Sequence, residues 1–531
     1  MPTDCISFKD TNYFSALICD YLDENEAIKP LYNRFPKLEN FKDQIDEKSS
    51  SVLLTSRTIL VNALKNQYKN IDVFGLTDAN IELLREKNSF TITTGHQLNL
   101  FTGPLYFLYK IISAINLSRE LKTAYPDCNF VPVYWMATED HDFEEINYFN
   151  FKGKKVQWSR GASGAVGHLN TEGLDKVLEV FKTNLGFGEN ANYIKELFKR
   201  SYLEHNNLAE ATRFLANELF GSYGLVIIDA DDANLKSQFS PYVKRELIEQ
   251  ISFDKVSETS EKMNDLGFNV QVNSREINLF YLKEGLRERI TFENDVYKVV
   301  DTNISFTKSE ILEELEKHPE RFSPNVIMRP LYQEVILPNL CYIGGGGELA
   351  YWFQLKSYFE AVNVPFPMLL LRNSVLIKTT KQSEKLDKLG ITVKELFAKQ
   401  DDLVNKQVKK LSTIDIDFST QKEYLHQQFK ALFQLAEETD KSFLGAVAAQ
   451  EKKQLKGLTN LEKRLLKAQK RKLNDQISRI TEIQDQLFPG QSLQERNLNF
   501  SELYLEFGDQ LIQQLMLNLQ PLKGEFLILE L

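Results

Sequence analysis

Two continuously apolar runs joined by a helical stretch, all within residues 90–150, constrain this chain more than any other feature. Phe90 to Thr94 is a short β-branched run stopped by Gly95. Gly103-Pro104 then opens a helical apolar pattern, and Phe130 to Met136 is a second apolar run that breaks into acid. Strands that are apolar on both faces belong to parallel sheets covered by helices, and a crossover of this length makes a right-handed βαβ unit. Ligands of such sheets sit outside the carboxyl ends of the strands. Both ends are polar here: Thr94, Gly95, His96 and Gln97 follow the first run, and Thr138, Glu139, Asp140, His141 and Asp142 follow the second. The chemistry is expected between these two loops.

Two later stretches repeat the pattern. Leu225 to Ile228 is another buried strand that ends in Asp229, Asp231 and Asp232, where an acid serves a ribose hydroxyl or a metal, or caps the next helix. Gly344 to Gly347 precedes Glu348 and a helix carrying Tyr351. Consecutive glycines allow positive φ and close approach to a ligand, or else make only a tight turn. Arg329 and Gln333 stand beside this loop, and the strand Met368 to Leu371 ends in Arg372, Asn373 and Ser374. His168 lies in a Gly- and Lys-rich connection, and residues 236–320, with a hairpin at Ile290 to Val300, show no chemistry.

The fold class expected is α/β: a Rossmann-like parallel core with inserted subdomains and a long antiparallel helical coiled-coil arm. Its parts are a helical segment 1–88, a core 89–382 with insertions at about 150–222 and 236–320, an arm 383–490, and a return to the core over 491–531. In the arm, Leu425, Phe429, Leu432, Ala436, Phe443 and Ala446 step by fours and threes apart from Thr439. Leu466, Leu473, Ile480 and Leu487 repeat every seven, with Gly457 expected to separate the two helices. A seam longer than one hairpin needs predicts a homodimer.

Composition narrows the function classes. With 42% hydrophobic residues the chain buries a sizeable core, and a net charge of −10 disfavours a nucleic-acid partner. Four cysteines without a CxxC spacing fit neither a disulfide framework nor a structural zinc site, so a reducing compartment is expected. The start MPTDCISFKD has no basic-then-apolar leader, and no window approaches the ~20 apolar residues of a membrane span; the expectation is cytoplasmic, with no membrane partner.

The residue types around the loops admit few chemistries. His96, Glu139, Asp140, His141 and Asp142 include metal-ligand types, but adjacent residues point apart and only two histidines are present, so no metal site is expected. No G-x-S-x-G occurs, and Cys341 has no base nearby in sequence. Nucleotide-dependent acyl activation fits better, because its transition state places charge on phosphate oxygens and needs donors and positioning rather than a nucleophile. A non-catalytic platform that recruits a partner through the arm is the alternative from another class.

Thr94-Gly95-His96-Gln97 with Leu100 to Tyr106, Trp135 to Ile146, Phe322 to Val326 with Arg329-Pro330, Gly347-Glu348 with Tyr351, and Leu493 to Arg496 together resemble the bacillithiol biosynthesis cysteine-adding enzymes. The resemblance runs nearly end to end. It implies a class I nucleotidyltransferase-like core, ATP with Mg²⁺ as cofactor, and ligation of cysteine to glucosaminyl malate in the last step of bacillithiol formation. An ATP-dependent ligase with a different thiol or sugar substrate stays open. By position, Thr94, Gly95, His96, Gln97, Thr102 and Gly103 replace the HIGH signature on the nucleotide, and Arg372 and Ser374 stand where the KMSKS loop lies. Glu139, Asp140 and His141 are the catalytic candidates. Asp142, Arg329, Gln333, Gly346, Gly347, Glu348 and Tyr351 bind substrate, with Arg329 on the malate carboxylate. The family pattern carries Gln at the position of His96, which makes Gln97 the safer donor.

Overall fold

The computed structural model describes residues 3–439 and 441–531, and a five-stranded parallel sheet forms the centre of the larger of its two units. Its elements in chain order are β1 (Ser89–His96), α1 (Tyr106–Ala124), β2 (Asn129–Met136), β3 (Val226–Asp229), α2 (Ala233–Glu249), α3 (Met328–Ile336), β4 (Asn339–Gly344), α4 (Gly346–Phe353) and β5 (Met368–Leu371). The spatial order is β5-β4-β1-β2-β3, and every neighbouring pair is parallel. The order reverses between β1 and β4, so the crevice of this doubly wound sheet opens at their carboxyl ends. Phe90, Ile92, Phe130, Leu340, Ile343, Met368 and Leu370 pack with Ala114, Leu117 and Leu121 of α1. Such burial at about 25 cal/mol per Å² is what holds the sheet.

Gly95 does not stop the first strand: β1 continues through it to His96, pairing in register with Trp135 and Met136. The helical N-terminal segment also holds a strand, Thr3–Ile6, which pairs antiparallel with Phe526–Glu530. Within it Arg57 is buried, donating to the carbonyls of Leu84, Lys87 and Ser89 at the start of β1. Leu53 and Leu54, by contrast, are exposed. The residues between α2 and α3 include a five-stranded antiparallel sheet, with Leu279–Lys283, Leu286–Glu293 and Val296–Val299 as its middle strands. The expected hairpin is there, its turn made by Asn294 and Asp295 with φ of 52° and 62°.

The chain divides into two units, residues up to Ile377 with Gln494–Leu529 and Leu531, and Lys378–Leu493 with Glu530. The second unit is helical: α5 (Thr380–Leu389), α6 (Gln400–Leu411), α7 (Ser419–Glu437), α8 (Lys441–Lys472) and α9 (Asn474–Leu487). Helices α7 and α8 form a hairpin closed by Leu425, Phe429, Phe433, Ala436, Leu444 and Val447. Gly457 does not separate the helices, because α8 runs through it; the two helices of the hairpin part where α7 ends at Glu437 and α8 begins at Lys441, and a second interruption falls at Leu473, with φ −99° and ψ 19°. Leu432 and Phe443, expected in the seam, are exposed, since steps of four from Leu425 carry the stripe to Phe433 instead. Among the described residues, no helix is long and apolar enough to cross a membrane.

Candidate active site

At the reversal point, β1 and β4 present Gly95 and Gly344, and a buried lysine of α1 joins Gly95 to Glu348, which follows β4. Lys110 Nζ donates to the Gly95 carbonyl at 2.6 Å and lies 2.7 Å from Glu348 Oε2. Glu348 also accepts from the Tyr342 hydroxyl at 2.9 Å and from Gly345 N–H at 2.7 Å. Burial alone would raise its pKa, but Lys110, Gly345 N–H and Tyr342 outweigh this and hold the carboxyl below its ordinary range. For Lys110 burial wins, and its pKa falls although Glu348 pulls the other way.

None of the four glycines at 344–347 has a positive φ, so backbone freedom is not what they supply; closeness demands glycine at Gly344, whereas Gly347 has open space beside it. A Cβ on Gly344 would lie 2.9 Å from Leu349 Cδ1 and 3.0 Å from Tyr342 Cε1. The N-terminal N–H expected to meet an anion is met by Glu348 itself, while Gly346 and Gly347 begin α4.

Two further cations complete this side. Arg329 donates to the Tyr351 hydroxyl at 2.8 Å and to Gln333 at 3.4 Å, lies over the Tyr342 ring, and makes no ion pair among the described residues. Arg372 lies over the Tyr106 ring and pairs with Glu495 at 2.8 Å; its Nε is buried without a partner. The Ser374 hydroxyl also donates to Glu495, so Arg372 and Ser374 are pinned by that carboxylate rather than carried on a free loop.

The loop before α1 carries positive φ at Phe101, Thr102 and Gly103, and Asn499 holds it by donating to the carbonyls of Phe101 and Gly103. Thr102 Oγ1 and His96 Nε2 are buried there without partners. Burial, with Lys110 and Arg372 nearby, pushes the His96 pKa well down despite a bond to the Thr102 backbone. The ring is therefore neutral, with one nitrogen a donor and the other an acceptor. Thr94 and Gln97 also differ from expectation. The Thr94 hydroxyl donates to the Ile343 carbonyl across the sheet, and the Gln97 amide donates to Asp140 at 2.9 Å and Glu145 at 3.2 Å.

Over β2 and β3 the sign of the charge reverses. Glu139, expected to be catalytic, is buried 2.5 Å from Lys236, which also binds Asp231 at 2.7 Å. Burial raises the Glu139 pKa against the opposing pull of Lys236, and the residue belongs to the floor of the site. Asp140 and Asp142 reach solvent on either side of His141. His141 Nδ1 lies 2.6 Å from Arg287 Nη1, and a guanidinium only donates, so Nδ1 accepts and the proton sits on Nε2. This ring is set up to donate rather than to take a proton. Gln333 is fully buried, donating to Glu334, and holds Arg329 from behind.

Lys110, Lys236, Arg287 and Tyr342 were not legible as site residues. A lysine inside the apolar run Leu108 to Ile112 was the available signal for Lys110. Arg287 comes from the antiparallel subdomain that had shown no chemistry, where nothing sets it apart from its charged neighbours.

The bacillithiol biosynthesis BshC models match the chain twice, as the N-terminal Rossmann-like domain over residues 1–373 and the C-terminal coiled-coil domain over residues 375–531. The chain belongs to the BshC family. Family members named "Putative cysteine ligase BshC" include one from Flavobacterium johnsoniae, 62% identical over 100% of both chains. Another, from Christiangramia forsetii, is 60% identical over 100% of this chain and 99% of its own, and one from Cytophaga hutchinsonii is 40% identical over 97% and 96%.

Proposed function

We propose that this BshC-family protein is a cytoplasmic, homodimeric ligase that joins L-cysteine to glucosaminyl malate through an amide bond, completing bacillithiol, with ATP activating the cysteine carboxylate. The observation that carries this reading is the division of charge along one sheet edge. Lys110, Arg329 and Arg372 gather at the carboxyl ends of β1 and β4, whereas Glu139, Asp140, Asp142 and Asp231 gather over β2 and β3. The first suits phosphate and carboxylate groups, the second the ammonium groups of cysteine and the amino sugar.

The residues before α1 fit a nucleotide. Thr102 Oγ1 and Arg372 Nε are buried donors without partners, and His96 Nε2 is a buried, unpartnered ring nitrogen suited to a ribose hydroxyl. ATP supplies the leaving group; Mg²⁺ accompanies its phosphates. Arg329, partly buried and without a carboxylate partner among the described residues, takes the malate carboxylate, and Tyr351 fixes its fork. Asp140 and Asp142 hold the amines. Exposed apolar residues on the hairpin, Tyr424, Leu435 and Leu461, suit pairing of two copies.

The test is a mass-spectrometric assay of the purified protein with cysteine, glucosaminyl malate and Mg-ATP, beside a control without ATP. Bacillithiol with AMP and pyrophosphate is the expected result. ADP would replace the adenylate with an acyl phosphate, and no product from a folded dimer would overturn the reading.

A further inference from the structure

Resting on that reading of the site, one histidine outside the acidic loop has the placement of a proton acceptor. His168 lies in a short turn, Val166–His168, that the backbone clamps to the acidic loop: Val166 N–H donates to the Asp140 carbonyl at 2.7 Å and Gly167 N–H to that of Thr138 at 2.8 Å. The clamp requires glycine, since a Cβ on Gly167 would lie 2.8 Å from Thr138 Cβ. The ring's Nε2 is 2.8 Å from Asp231 Oδ2, just beyond the carboxyl end of β3. Asp231 is buried and anchored in turn by Lys236, whereas the histidine side chain is 57% exposed. Its Nδ1 has no hydrogen-bond partner among the described residues.

A carboxylate on one ring nitrogen fixes the tautomer and leaves the other nitrogen's lone pair facing outward. His141, held as a donor by Arg287, cannot fill that role. We propose that His168 is the general base of the ligation step, accepting at Nδ1 the proton released by the attacking amine while Asp231 holds its Nε2–H. As the sugar nitrogen bonds to the activated cysteine carboxyl carbon, the bond from that carbon to the phosphate-linked oxygen breaks. The leaving group takes the electron pair, and the ammonium proton passes to His168. Around the ring stand Asp231, Asp229 at the end of β3 and Lys236 on α2; behind them Arg213, from the helix Leu208–Phe220, pairs with Asp229, and Glu139 with Lys236. The Asp231 hydrogen bond raises the His168 pKa, which burial only partly offsets.

The experiment separates the two halves of the reaction in the full-length protein. In H168A, amide formation should fall by about 10² to 10⁴-fold while cysteine-dependent ATP cleavage without the amino sugar is retained. Added imidazole should restore part of the loss. In the wild type, kcat should fall on the acid side as His168 is protonated, and D231N should move that limb to lower pH. Wild-type turnover in H168A, equal loss of both half-reactions, or an acid limb unmoved in D231N would each overturn the proposal alone. A wild-type protein that makes no product overturns the functional reading and this inference with it.

Discussion

Arg287 Nη1 lies 2.6 Å from His141 Nδ1, and the guanidinium reaches it from a strand 146 residues further along the chain. The arginine is itself held by Ser323 Oγ at 3.1 Å and stacked on Phe280 at 4.1 Å. An antiparallel subdomain thereby sets the hydrogen position on a residue of the Rossmann core.

R287M should release that setting. Long-range ¹H–¹⁵N spectra of the wild type should show His141 protonated at Nε2, and the variant a mixture of tautomers. Misplacing the acidic loop by even 1 Å should lower kcat/KM by about 10²-fold. Unchanged spectra and turnover would remove Arg287 from the site.

Lys110 and Glu348 form a pair in which each is the other's main charged partner. K110M and E348Q should each cost about 3–5 kcal/mol, because each leaves an uncompensated buried charge. The double variant should cost less than the sum, measured by urea unfolding of all four proteins. Additive losses would mean the two do not interact.

Stability at low pH should depend on Asp231. Burial pushes its pKa up, but Lys236 and His168 override this and bring it down to about 2. The folded value lies below the ordinary ~3.9, so the group contributes stability above about pH 4 and loses it as pH falls towards 2. D231N should therefore be less stable than the wild type by about 2–3 kcal/mol at neutral pH, with the gap closing between pH 4 and 2. Asp229 and Glu139, whose pKa values are raised by burial, slope the opposite way in both proteins. A gap independent of pH would contradict the assignment.

Gly103 has φ of 62°, and a Cβ there would lie 2.5 Å from Asn99 Cβ. G103A should lose about 1–3 kcal/mol from backbone strain alone, more with the clash, and should raise KM for ATP if the loop before α1 seats the nucleotide. Wild-type stability and KM would show that the loop tolerates a different path.

The parts of this molecule that could be read in advance are those where sequence and structure share a short range. Phe90 to Thr94 and Phe130 to Met136 announce buried strands because every position is apolar or β-branched, and their polar ends follow from the parallel topology. The roles of single side chains did not follow. Whether the Thr94 hydroxyl faces a ligand or the Ile343 carbonyl depends on which strand lies beside β1, and that neighbour is contributed 249 residues away. Lys110, likewise, reads as the polar face of a helix until Glu348 and Gly95 are placed against it. Gly457 shows the reverse error: a single glycine weakens a helix by only about 1 kcal/mol, too little to break one packed along its length.

The loop from Phe101 to Gly103 is tied by Asn499, Leu105 N–H donates to the Leu498 carbonyl, and Arg372 is tied by Glu495. All three ties come from residues that follow the whole helical unit in the chain. On the ribosome, the sheet's first strands emerge hundreds of residues before the segment that fixes their loop. A nascent or prematurely terminated polypeptide therefore carries the acidic loop and the lysine of α1 but lacks the clamp that sets the nucleotide-side loop, and competence arrives only near the end of synthesis.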